Sequence, residues 1–387
     1  MPQLAFFPWI KLECDIDAGE YSLKRFVRGE RPGPDGDCQE TLDAVLAPYR
    51  DLQGEPIKTA VILALQGQEL TADLSEENRA DLFLFAELFA FSALASRDFF
   101  MWKYCNRDDL RLVIQAFTDP GGGALMELRR RDGRQQSYVT GDLYRVQVPT
   151  HVNPSRIEPD HSLLAALLGA LGRKEWPRVY QGIVLFNQAN TDAPDVSPNT
   201  ELVLTYAAME QILGTASRKG QKRFPEKFAE AWRPSRELPS NEWRPPPTGT
   251  DWKKDSLRAC WASDLKICRG NLAHGHREVT RPSQWTASEH LLLTSFAVPR
   301  LVKRVLSKMG LYAPTDEDER DINAFEPLLN LPNVFAEFDS DDENDFAAED
   351  FAWRHVLQQE DDRQLHQYIE KKAEELLRQQ EGHEDDS

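Results

Sequence analysis

Short apolar runs broken by turn-forming residues open the chain, and a helical period takes over from about position 157. LAFF (4–7), TAVILAL (59–65), LRLVIQAF (110–117), ALMELR (124–129) and LYRVQV (143–148) are apolar and rich in β-formers. Punctuation such as RPGPDGD (31–37) and DPGGG (119–123) bounds them, which predicts strands. Asp132–Gly133, between 124–131 and 134–140, predicts a hairpin. One strong helix interrupts them at SEENRADLFLFAELFAFSALASR (75–97). Ser75 stands as its N-cap, and Glu76 and Glu77 lie near the positive end of its dipole. Residues 1–156 thus read as a mixed α+β domain, and no catalytic constellation is visible in them.

Beyond 157 the apolar residues recur every three or four positions. HSLLAALLGALG (161–172), WPRVYQGIVLFNQAN (176–190) and SPNTELVLTYAAMEQILG (197–214) predict helices, the last capped by Ser197 and stopped by Gly214. WKKDSLRACWASDLKICRGNLAHG (252–275) places apolar residues at 257, 261, 265, 268 and 272. QWTASEHLLLTSFAVPRLVKRVLSKMG (284–310) predicts a long helix with Pro299 inside it. Helices over 157–312 joined by mostly short connections imply an all-α bundle, crossed by a Pro-rich basic connector at 218–258.

Charge changes this picture in one place. The formal net charge is −18, yet residues 313–387 alone hold 24 acidic and 6 basic residues, leaving 40 of each in 1–312. The body is neutral, and 313–387 reads as an acidic, partly disordered tail that solubilises the chain, binds a partner or inhibits in cis. The connector runs the other way, with 11 Lys and Arg against 6 Asp and Glu. Lys219, Lys222, Arg223, Lys253 and Lys254, interleaved with Phe224, Phe228, Trp232, Trp243 and Trp252, form the pattern that neutralises phosphates and stacks single-stranded bases. The same aromatics would equally serve to pack the connector onto the bundle.

The five cysteines (14, 38, 105, 260, 268) are scattered, with no CxxC pair, and GGG at 121–123 is followed by no GK[ST]. Neither a metal nor a cofactor is therefore expected. The first residues carry no signal-like pattern, and the longest apolar run, 83–95, is too short to span a membrane, so a cytoplasmic location without membrane contact is expected.

Candidate chemistry lies in CRGNLAHGHRE (268–278). A histidine exchanges protons near neutral pH, and an arginine offers a charged fork matched to phosphate oxygens. Together Arg269 and His274 suit attack of a ribose 2′-OH on its neighbouring phosphate. On an ideal helix five residues turn about 500°, so the two side chains point about 140° apart with a rise of about 7.5 Å. The length of arginine, a helix ending at Gly275 or a second protomer could bring them together. Equally, the histidine could be a C-terminal helix residue and the arginine a surface charge. Asn271 could bond locally, and Glu210, set among Leu202, Tyr206, Met209 and Leu213, could orient either group or face solvent.

ICRGNLAHGH has the form of the HEPN signature, a helix ending in R-polar-x3-H followed by glycine. TELVLTYAAMEQILG is similar to the HEPN helix that carries a single glutamate, and WPRVYQGIVLFNQAN stands where the first helix of that family would be. Segment 157–312, about two-fifths of the chain, thus resembles the HEPN superfamily. Residues 1–150 loosely resemble the N-terminal regions attached to such domains in prokaryotes.

This resemblance implies an α+β N-terminal domain followed by an all-α HEPN-like helical bundle and the acidic tail. It implies a metal-independent RNA endonuclease, a homodimer with its site at the interface, in anti-phage defence or a toxin-like system. Arg269 would bind the scissile phosphate, and His274 would be the general acid or base. Gly270 departs from the family pattern, in which Asn, Asp or His commonly follows the arginine, and Asn271 would substitute for it. The alternative is a catalytically inactive HEPN module that binds nucleic acid, a nucleotide or a protein partner.

Overall fold

A computed structural model describes residues 3–29, 39–70, 73–101, 103–117, 124–139, 145–152, 156–217, 222–244, 255–273, 283–336 and 351–384. The chain forms two compact units, Met1–Leu204 and Thr205–Ser387.

The first unit is built on an antiparallel sheet of seven strands in the order β2-β3-β5-β1-β6-β7-β8. The strands are β1 (Gln3–Phe7), β2 (Ile16–Ala18), β3 (Tyr21–Val27), β5 (Thr59–Leu65), β6 (Val113–Phe117), β7 (Ala124–Arg130) and β8 (Gly133–Val139). β4 (Tyr49–Arg50) and β9 (Val146–Gln147) form a separate parallel pair. The expected hairpin is present, with Arg130 opposite Gly133, whose φ of 134° suits only glycine. Strand β3 escapes the sequence pattern because Lys24 and Arg25 interrupt its apolar residues.

Central strands β1 and β5 are apolar at nearly every position because both faces of the sheet are covered. Leu4, Phe6, Ala60 and Ile62 face α1 (Gln39–Leu46) through Leu42, Val45 and Leu46. On the other face, Phe7 and Tyr21 meet Phe89 and Phe85 of α2 (Glu76–Ala95), with ring centroids 5.4 and 4.4 Å apart. Helix α2 is apolar all round, so it needs cover on its far side too. That cover comes from α3 (His161–Gly169) and α4 (Trp176–Ala189), with Phe186 edge-on to Phe91 at 5.4 Å. The first unit therefore continues past the boundary expected at 156, and the divide falls within α5 (Pro198–Leu213).

In the second unit α6 (Phe224–Ala231), α7 (Leu257–Ala273), α8 (Ala287–Lys308) and α9 (Asp316–Asn330) surround an aromatic core. Its centre is Phe325 of α9, within 4.5 Å of Trp232, 5.2 Å of Trp261 and 5.9 Å of Phe228 between ring centroids. This corrects the reading of an acidic tail from 313 onward over the span of α9. Thr315 and Asp318 form a capping box, and the acidic first turn suits the helix dipole. The remaining charge is matched across helices, with Lys303 2.7 Å from Asp318 and Arg300 bonded to Asp321. The first turns of α10 (Ala352–Glu384) are buried as well, through Trp353 and Val356. The acidic stretch 337–350 lies outside the described residues.

The described part of the connector, 222–244, likewise packs into the second unit. Trp232 is buried, and 233–244 runs along α9, hydrogen-bonded at Asn323, Glu326 and Asn330. Among the described residues no helix is long and apolar enough to cross a membrane.

Glu326 receives Arg258 at 2.8 Å inside this core, and both side chains are almost wholly enclosed. Glu326→Gln should lower the stability of the second unit by about 3 kcal/mol, because it leaves a buried guanidinium undercompensated. Glu370→Gln, on the exposed part of α10, should change it by less than about 0.5 kcal/mol. Urea unfolding followed by tryptophan fluorescence measures both, and equal effects would contradict the packing of α9.

Candidate functional site

Helix α7 buries Leu257, Trp261 and Leu265 in the aromatic core, at steps of four residues. The same stripe carried one turn further reaches Arg269, where burial becomes partial. The guanidinium of Arg269 lies over the ring of Tyr206 on α5, 5.4 Å from its centroid. Arg269 Nε is shielded from solvent and finds no hydrogen-bond acceptor among the described residues. The Tyr206 hydroxyl is hydrogen-bonded to Glu210, one turn on along α5. Tyr206 and Glu210 are both buried. Burial, and then the charge of Glu210, push the Tyr206 phenol above its usual range, while Arg269 opposes the shift.

Two of the four expected catalytic residues, Arg269 and Glu210, thus meet around a tyrosine that the sequence did not single out as functional. The i, i+4 spacing of Tyr206 and Glu210 was the available signal. Asn271 is half-buried on α7, about 200° around the helix from Arg269, so the helix turns the two residues to different faces. His274 lies outside the described residues, as do Lys219, Lys253 and Lys254. Lys222 and Arg223 are exposed immediately before α6. Among the described residues no group of His, Cys, Asp or Glu converges in a way that would hold a metal ion.

Gly270 is helical and partly exposed, and a Cβ built on it would meet nothing within 4 Å. The space beside Arg269 where a side chain would stand is therefore open.

Two other polar clusters escaped the sequence reading. In the second unit, Nε2 of the fully buried His290 lies 3.2 Å from Asp264 Oδ2, between Trp261 and Trp285. The Ser283 hydroxyl donates to the same carboxylate oxygen at 2.6 Å. With no solvent reaching the imidazole, this arrangement pins the start of α8 to α7 and offers a substrate no access. His290 sits at a core position of EHLLLTSF, one turn before the buried Leu293 and Thr294, and that was its signal.

In the first unit, His151 Nε2 lies 2.7 Å from Asp108 Oδ2, which also accepts from Thr191 at 2.8 Å. Asn106 holds the His151 carbonyl at 2.9 Å, and Tyr104 donates to Asp192 at 2.6 Å. These contacts join segments far apart in sequence, so spacing could not reveal them. Nearby, burial and then the charge of Asp192 lift the Glu201 carboxyl to about 7.

Comparison with protein-family models, curated proteins and solved structures yields no match to the chain. The geometry around Arg269 is therefore what any functional reading starts from.

Two outcomes test this description. Gly270→Ala should stabilise the protein by about 0.5–1 kcal/mol, since a helical glycine gains a methyl group in open space. A clash would instead lower the melting temperature. For Glu201, a folded-state pKa raised from 4.5 to about 7 gives stability that is complete below the ordinary value and lost as pH rises through about 7. Thermal unfolding should show stability falling between roughly pH 5 and pH 8, with a flatter profile in Glu201→Gln.

Proposed function

We propose that the chain is a metal-independent endoribonuclease of HEPN type. The observation that carries this reading is the Arg269 guanidinium on the half-buried last turn of a core helix, resting on the ring of Tyr206 beside Glu210. Such a group is charged and oriented by the ring beneath it, which suits it to a phosphate oxygen. Glu210 acts through the Tyr206 hydroxyl to hold the ring on which the guanidinium lies. It is a positioning residue.

His274 follows five residues later and supplies the general acid and base. In the first step its neutral form takes the 2′-OH proton as that oxygen attacks phosphorus. The leaving 5′-oxygen then receives a proton, and the products are a 2′,3′-cyclic phosphate and a 5′-hydroxyl. Arg269 neutralises the charge that builds on the phosphoryl oxygens. A homodimer through the helical bundle would pair two such sites. The cytoplasmic setting and the role in anti-phage defence or a toxin-like system come with the resemblance to HEPN proteins.

The open space at Gly270 favours a second reading, a catalytically silent module that binds nucleic acid, a nucleotide or a protein partner. The side chain that commonly follows the arginine in HEPN sequences is missing there.

Incubation of the purified protein with mixed single-stranded RNA in EDTA decides between the two. The enzyme reading expects cleavage that leaves cyclic phosphate ends and drops by about 100-fold or more in both His274→Ala and Arg269→Ala. Equal cleavage by the wild type and both variants would sink the site assignment. RNA binding without cleavage, in the wild type and in Gly270→Asn, would establish the silent module.

A further inference from the structure

A cleft of ≈ 210 Å³ opens where the end of α8 turns back into α9. Its shape follows from a glycine turn. Gly310 has φ +72°, and the Leu311 amide donates to the Leu306 carbonyl at 3.0 Å, so the chain reverses and Tyr312 and Pro314 become a wall. Ile322 of α9 adds to the apolar side, and Arg300, Lys303, Arg304 and Lys308 line the other.

These four cations are not equivalent. Arg300 is bonded to Asp321, and Lys303 to Asp318, which also accepts from the Tyr312 hydroxyl at 2.7 Å. Their charge is met within the protein. Arg304 instead donates to two main-chain carbonyls, of Ala231 at 3.1 Å and Arg233 at 3.0 Å. Neutral acceptors anchor a guanidinium without cancelling its charge. Burial lowers the Arg304 pKa, the mark of a cation held partly out of water.

Lys308 is exposed one turn further on, on the same face of α8. Among the described residues neither Arg304 nor Lys308 has a carboxylate within ion-pair distance. Glu319 is the other acid lining the cleft and acts on Arg304, while Glu230 stands beyond the rim on the Lys308 side. The basic edge also continues. Glu230, held below the usual carboxylate range first by Lys227, feels Lys308 and Arg223 as well, which places those cations around one border.

We propose that this cleft binds a phosphate group of single-stranded RNA, with the anion between Arg304 and Lys308 and the sugar against Tyr312, Pro314 and Ile322. The inference deepens the RNA reading and rests on it: the cleft would hold the strand at a distance from the reacting phosphate. Its volume admits a phosphate and its ribose rather than a duplex. A fork-shaped guanidinium beside an ammonium suits phosphate oxygens, and the basic border toward Arg223 lets a flexible backbone run on. An acidic peptide is the rival occupant. It would use the same charges but gain nothing from a sugar-sized apolar wall.

The experiment measures anisotropy of a labelled single-stranded oligonucleotide on the full-length His274→Ala protein, across roughly 50–200 mM salt. Lys308→Glu is the main variant, because its side chain is exposed and supports no other element. Lys308→Gln removes the charge without reversing it. Binding should weaken by about fivefold or more in Lys308→Glu and less in Lys308→Gln, and the log–log salt slope should fall by about 0.7, the value for one phosphate contact on a single strand. Inorganic phosphate should compete against the wild type more effectively than against Lys308→Glu.

An unchanged affinity and slope in Lys308→Glu, with the fold verified by circular dichroism, would overturn the proposal. So would displacement of the oligonucleotide by poly-glutamate from the wild type and Lys308→Glu alike. Lys308-dependent binding without cleavage by the wild type would leave the cleft standing and remove the nuclease. Cleavage with Lys308-independent binding would do the reverse.

Discussion

The second unit depends on one buried ion pair. Arg258, near the start of α7, donates to Glu326 of α9 at 2.8 Å, to Glu237 of the connector at 2.6 Å and to the Ala229 carbonyl of α6 at 3.2 Å. Glu326 in turn accepts from the Leu238 amide at 2.9 Å. A guanidinium withdrawn from water is tolerated only when its N–H groups find acceptors, so every partner must be in place at once. That requirement fixes α6, the connector strap, α7 and α9 relative to each other. Arg269, three turns further along α7, inherits its position from this arrangement.

Aromatic packing does the complementary work. Phe325 gathers Phe228 and Trp232 of α6 and its C-cap, Trp261 of α7 and Phe296 of α8, and large rings in contact contribute both burial and edge or offset attraction. Helix α7 is held by its first three turns, and burial becomes partial along its last turn. The result is a half-buried cation resting on the ring of Tyr206.

Charge patterning along the chain misleads at α9 for a specific reason. TDEDERDINAFEPLLN contains six acidic residues in sixteen positions, and a one-dimensional count sees a solvated segment. In three dimensions Asp318 and Asp321 face Lys303, Arg300 and Arg320, and Glu326 faces Arg258. The apolar residues Ile322, Phe325, Leu328 and Leu329 recur at the helical period and were the better guide. Apart from Arg320, these partner charges lie 15 to 68 residues away in sequence and are not visible to any local window. The connector teaches the same lesson, since its tryptophan at 232 is core while Lys222 and Arg223 beside it are exposed.

The sequence by itself determined the local elements: strand β5 and helices α2 to α5 follow from apolar periodicity, N-caps and stopping glycines, all of which act within a few residues. It also marked Arg269, His274 and Glu210 as chemically able groups, through residue type and spacing. Only the tertiary structure decided that α3 and α4 belong with the sheet, because the far side of α2 needs cover that no local rule supplies. It likewise decided that Tyr206 joins Arg269 to Glu210, and that Asn271 turns away. Short-range propensity fixes which segments become helices and strands, whereas burial and charge compensation, which act between distant segments, fix which of their side chains meet.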